Sequence, residues 1–157
     1  CNIACNSISS SAIKNGPAFD ARGDLYRMIG VDLTQIGGLN EGSVLKLIAE
    51  TEVTVNVWPT EKHFPSWPAL SPGNKITGGK ILSGKTKPCA NRAAEIFRMA
   101  AFGVMNSKSA MGAYCRRQRA RLEAPKAITA TSHKIAWTYY TYDQVRYRIS
   151  GSGTRLL

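Results

Sequence analysis

The sequence predicts a mainly α-helical protein, a helix-hairpin-helix followed by a small helical bundle, with a glycine-rich loop and a short β element. Apolar residues recur at three- and four-residue spacing through 40–51, 91–106, 109–122 and onward from Pro125, the period of one helix face. Asp, Asn, Ser or Pro stands where these runs begin, as helix starts require. Alternation of period two is limited to Val53, Val55 and Val57, enough for one short strand.

The first 18 residues, CNIACNSISSSAIKNGPA, have no periodicity and read as a disordered arm or linker, with order beginning near Phe19. From Asp32 the chain runs DLTQIGGLNEGSVLKLIAET. This predicts a short helix capped by Asp32, a Gly37-Gly38 turn, and a second helix from about Asn40 to Thr51 with Val44, Leu45, Leu47 and Ile48 inward. A helix-hairpin-helix over about 32–51 presents unpaired N–H groups that can grip a DNA phosphate without reading bases. The same letters equally serve an αα-hairpin held only by packing.

After the valine strand, Thr60 is expected to cap a turn or two through Glu61, Lys62, His63 and Phe64, cut short by Pro65 and Pro68. His63 is read as a partly buried packing residue. Helix 91–106 should bury Ala94, Ile96, Phe97, Ala100, Ala101 and Val104. Helix 109–122 sets Met111, Tyr114, Cys115 and Leu122 beside Arg116, Arg117, Arg119 and Arg121. The last helix, from Pro125, turns Ile128, Ile135, Ala136, Tyr139 and Tyr140 inward, with His133 and Lys134 near its polar edge. Residues 143–157 read as an irregular tail.

Charge separates the chain into halves. Of a formal net +11, residues 1–70 hold five Lys/Arg against seven Asp/Glu, and residues 71–157 hold sixteen against three. So basic a half implies a polyanionic partner, nucleic acid first. The chain contains no run of about 18 apolar residues, which argues against a membrane span. Cys1, Cys5, Cys89 and Cys115 form neither a disulfide framework nor CxxC pairs, which suits a reducing compartment, and no metal site is expected. Residue 1 is Cys, with no basic and apolar leader after it, so no signal peptide is expected and the chain reads as part of a longer protein.

The basic half opens on Leu70–Asn91, LSPGNKITGGKILSGKTKPCAN, which mixes glycine, proline, lysine and hydroxyl residues with no acid. Backbone N–H groups around Gly78 and Gly79 can converge on an anion while Lys75, Lys80, Lys85 and Lys87 neutralise it. Arg92, Lys126 and the four arginines of 116–121 extend the basic set. The hydroxyls of Thr77, Ser83 and Thr86 lie among these donors as candidate nucleophiles for a phosphodiester. Gly79–Thr86 also spells the P-loop pattern GxxxxGK[ST], but LSPGNKIT is no buried strand and Pro88 interrupts the helix that should follow. A nucleotide-binding P-loop protein and a non-enzymatic helix-hairpin-helix module therefore remain the rival readings.

The blocks GVDLTQIGGLN, WPTEKHF, LSPGNKITGGKILSGKTK, NRAAEIFRMAA and GAYCRRQRARLEAPKAITATSHKIA resemble, in order and spacing, the C-terminal transposase domain of the IS one-ten / IS eleven-eleven insertion-sequence family (IS116/IS902-like). The likeness covers roughly residues 15–142, so a transposase C-terminal domain over 19–142 is expected. The resemblance implies a site-specific DNA recombinase guided by a bridge RNA, cytoplasmic and nucleoid-associated, acting as a homo-oligomer. It also implies an N-terminal acidic domain that binds Mg²⁺ and is not among these residues, so no cofactor is expected within the chain itself. The family's serine nucleophile falls at Thr77, which keeps the hydroxyl but adds a β-branch that stiffens χ1. Ser83 is the alternative in the same loop. The chain departs from the family pattern at Pro65, Pro68 and after Tyr142.

Overall fold

The computed structural model describes residues 19–51, 58–71, 73, 75–83, 86 and 91–151, with backbone alone at 75, 76, 81–83 and 146–151. The expected arm at 1–18 and the valine strand at 53–57 lie outside the described residues. The fold is mainly helical, as expected. An unforeseen helix, α1 (Ala21–Ile29), comes first. Asp20 starts it by accepting from the Gly23 N–H at 3.1 Å, and Gly30, at φ 74, ends it with its N–H on the Tyr26 carbonyl at 2.7 Å. Leu25 and Ile29, one turn apart, are buried.

A turn of 3-10 helix at Leu33–Gln35 follows, capped by Asp32 as expected. After the Gly37-Gly38 turn, Asn40 caps α2 (Glu41–Thr51) by accepting from the Ser43 N–H at 2.7 Å. Val44, Leu47, Ile48 and Thr51 share its buried face. Leu45, expected inward, is 41% exposed, because it lies about 100° around the helix from Val44 and off that face.

The segment that follows is organised by aromatic rings. In α3 (His63–Ser66), the Thr60 carbonyl accepts from the N–H groups of both His63 and Phe64, and the helix stops within a turn, as the prolines require. His63 is exposed rather than half-buried, its Nδ1 2.6 Å from the Thr60 hydroxyl, because Phe64 takes the inward position. Phe64 is completely buried and packs on Trp58, Trp67, Phe97, Tyr139 and Tyr140, with ring centroids 5.1 to 6.2 Å away. The Tyr140 hydroxyl donates to the Trp58 carbonyl at 2.9 Å.

The basic half contains β1 (Lys75–Thr77) and β2 (Lys80–Ser83), antiparallel, pairing Thr77 with Lys80, Ile76 with Ile81 and Lys75 with Ser83 across a bulge. Gly78 and Gly79 have φ 57 and φ 76, the two left-handed positions of a type I′ hairpin turn. Part of the expected anion-binding loop is thus the tip of a hairpin. Since Lys80–Ser83 is a paired strand, the first half of GKILSGKT lacks the conformation of a P-loop, and that reading falls.

Three helices complete the fold. Asn91 caps α4 (Arg92–Val104), which buries Ala93, Ala94, Phe97, Ala100, Ala101 and Val104, with Ile96 only partly covered. Ser109 caps α5 (Ala110–Arg121), where Gly112 and Cys115 are buried and Leu122, just beyond the helix, is 40% exposed. Helix α6 (Ala124–Gly151) packs against both α4 and α5. It corrects the irregular tail expected from residue 143, since the helix continues through Gly151. Its buried Thr131 and Ser132 hydroxyls donate to the carbonyls of Ala127 and Ile128, each at 2.8 Å, so neither is left unsatisfied.

Candidate phosphodiester site

Thr77 ends β1 immediately before the glycine turn and is exposed, as are Gly78, Gly79 and Lys80. A Cβ built on Gly78 or Gly79 meets nothing within 4 Å among the described residues, so the hairpin tip is open to them. The register sets Thr77 opposite Lys80, the lysine nearest the candidate hydroxyl in the pairing. Lys75 and Ser83 face each other in register at the hairpin's far end, with backbone alone described, and Lys85 and Lys87 lie outside the described residues.

The other glycine pair occupies a different environment. Gly38, at φ 94, brings its backbone so close to α4 that a Cβ there would lie 2.6 Å from the Ala100 carbonyl oxygen and 2.7 Å from a Val104 methyl. A Cβ on Gly37 would meet the Ser109 hydroxyl at 3.4 Å. This turn is a seat for α4 and the start of α5, the packing role that was open beside the phosphate clamp.

Several candidate cations already have partners. Arg92 pairs with Glu50 at 3.5 Å, and Lys126 with Glu123 at 3.1 Å. Arg116 donates to the carbonyls of Met105 and Ser107, and Arg119 to the Met105 sulfur at 3.0 Å. Arg117 and Arg121 are exposed and have no side-chain partner among the described residues. His133 is held below its usual 6.5 by burial and by the neighbouring Lys134, so at neutral pH it adds no positive charge.

Sequence reasoning treated Asp32 only as a cap. Its Oδ1 accepts from the Thr34 N–H and hydroxyl, while its Oδ2 accepts from Arg22 and Gln35. Partial burial works to raise this carboxyl, but hydrogen bonds from Thr34, Arg22 and Gln35 outweigh it and hold the group at about 2, below its usual 3.8. The signal missed was Arg22, ten residues upstream on a helix that had not been read.

Among the described residues no three His, Cys, Asp or Glu side chains converge to hold a metal ion. Nor is any helix among them long and apolar enough to cross a membrane.

Fold and site together define a class: a small, basic, helical domain whose exposed hairpin carries a hydroxyl at its tip. Comparison with known families makes this particular. The family described as "Transposase IS116/IS110/IS902 family" matches residues 31–116, more than half of the 157 residues, and the chain belongs to it. The match takes in the Gly37-Gly38 turn, the hairpin, α4 and the start of α5. No curated protein and no solved structure matches the chain significantly.

Proposed function

We propose that this chain is the DNA-binding domain of an insertion-sequence transposase and that Thr77 is its nucleophile in RNA-guided, site-specific recombination. The observation that carries this reading is the position of Thr77, an exposed hydroxyl at the mouth of a glycine turn, opposite a lysine, inside the family match. The step is a transesterification. Thr77 Oγ1 forms a bond to phosphorus, the bond from phosphorus to a DNA oxygen breaks, and the departing oxygen takes up the proton that threonine loses. No outside oxidant, reductant or energy source is needed. Lysines of the hairpin favour the charge that gathers on the non-bridging oxygens. A bridge-type guide RNA, an acidic Mg²⁺-binding domain and further copies of the chain are the proposed partners, at the nucleoid in the cytoplasm.

Binding is tested first. If six or so phosphates are neutralised, log K for duplex DNA falls with log salt at a slope of about −5. A slope near zero sinks the DNA reading. Chemistry is tested by joining the chain to an acidic domain from a family member, with its guide RNA, and looking for protein covalently attached to DNA. Thr77→Ala abolishes the adduct and Thr77→Ser raises its yield. Loss with Ser83→Ala alone moves the nucleophile to Ser83. Salt-steep binding with no adduct in any combination favours a non-enzymatic helix-hairpin-helix module.

A further inference from the structure

The four arginines of α5 share one charge and similar exposure, but their surroundings divide them. Arg116 Nη1 lies 3.2 Å from the Met105 carbonyl and 2.7 Å from that of Ser107, and Arg119 reaches the Met105 sulfur. Both point back to the corner where α4 ends. Carbonyls at a helix C-terminus lack intrahelical donors and carry partial negative charge, so a guanidinium placed there satisfies them. The corner is tightly built. The Ser107 hydroxyl sits 2.9 Å from the Val104 carbonyl and 2.6 Å from the Ser109 hydroxyl, and a Cβ on Gly112 would come within 2.4 Å of the Ser107 carbonyl oxygen. Arg116 and Arg119 therefore fix the angle at which α5 leaves α4.

Arg117 and Arg121 are four residues apart and lie on one face of the helix, about 6 Å apart along its axis. They point away from the buried Cys115, and both side chains are exposed with no partner among the described residues. Ala110 and Ala113 continue the same face toward the start of α5, and their small side chains leave room for a ligand's backbone to approach. Two unspent guanidiniums at that spacing suit neighbouring phosphates on one strand, since each can fork onto phosphate oxygens.

We infer that Arg117 and Arg121 form a two-point clamp for the phosphate backbone of duplex DNA, while Arg116 and Arg119 are positioning residues that brace α5. The clamp rests on the DNA reading above; the brace rests on the hydrogen bonds alone. The test uses the full 157-residue chain, a short duplex as probe, and two paired variants, read by salt slope and thermal melting. Arg117→Gln with Arg121→Gln flattens the slope by about two and leaves the melting midpoint in place. Arg116→Gln with Arg119→Gln lowers the midpoint by a few degrees and leaves the slope of the folded protein unchanged. Arg117→Lys with Arg121→Lys preserves most of the slope. Equal slope loss in both Gln pairs, or slope loss from the Arg116/Arg119 pair at an unchanged midpoint, overturns the division. Should the unaltered chain show no salt dependence, the DNA reading and the clamp fall together, while the brace is still decided by the melting data. Loss of structured-RNA binding by the Arg117/Arg121 pair, with an intact slope on duplex DNA, overturns the choice of ligand.

Discussion

The chain uses the dipeptide Gly-Gly twice, and its two uses have little in common. Gly37-Gly38 is pressed against α4, where the missing side chain is what allows contact, with the Ala100 carbonyl at 2.6 Å from where a Cβ would stand. Gly78-Gly79 has nothing within 4 Å of either Cβ position among the described residues and needs glycine there for its left-handed backbone. One turn is part of the packing and the other is a presentation device. A sequence motif that tolerates φ above zero therefore does not reveal whether it serves the fold or the site until its neighbours are known.

That comparison is broken most sharply at Gly38. Gly38→Ala combines a left-handed alanine with a clash against backbone that cannot swing away, and is expected to cost about 3 kcal/mol in denaturant unfolding. A loss under about 1 kcal/mol would show that the seat on α4 yields, and the distinction between the two turns would dissolve. At the hairpin only the backbone term applies, so Gly79→Ala should cost about 1 kcal/mol. Gly78→Asn should be close to neutral, because Asn-Gly is a favoured type I′ pair. If Gly79→Ala proves as damaging as Gly38→Ala, the hairpin is packed on something and does not project freely.

The smallest effect concerns Asp32, which props the lead-in to the first turn and has no counterpart at the second. Its carboxyl is held at about 2 in the folded protein against a usual 3.8, so its contribution is present above about pH 4 and is lost as pH falls through about 2. Screening of the partly exposed pair with Arg22 keeps the contribution modest. Unfolding midpoints followed from pH 5 to about pH 2 should therefore fall more steeply for the unaltered chain than for Asp32→Asn. Parallel curves would mean that the Arg22, Thr34 and Gln35 contacts do not persist in solution.

Much of the architecture was legible because helix starts have strong local chemistry. Asp32, Asn40, Asn91 and Ser109 all cap where capping residues should, and the buried faces of α4 and α6 follow their periodicity. Where reading failed, tertiary competition decided. Leu45 yields to the face set by Val44, Leu47 and Ile48, and His63 yields the inward position to Phe64. Helix α1 carries its signals in Asp20, Leu25, Ile29 and Gly30, but they stand directly behind an unpatterned stretch that masks them. The hairpin is hidden differently: KIT-GG-KILS is a strand–turn–strand, yet its lysines and glycines equally spell an anion-binding loop. The division among the arginines of α5 was not legible at all, since it depends on carbonyls at the end of another helix.

The hydrogen bond from Tyr140 to the Trp58 carbonyl joins residues 82 apart in sequence, and Phe64 stacks on Tyr139 beside it. On the ribosome, the WPTEKHFPSW segment emerges long before the helix that completes its surroundings. Its rings have no finished core to enter until most of α6 has been made, so contacts of such separation place the last stage of folding after α1, α2 and α4 have already been synthesised. The aromatic cluster thus acts as a closing latch, completed only when the C-terminal helix arrives with Tyr139 and Tyr140.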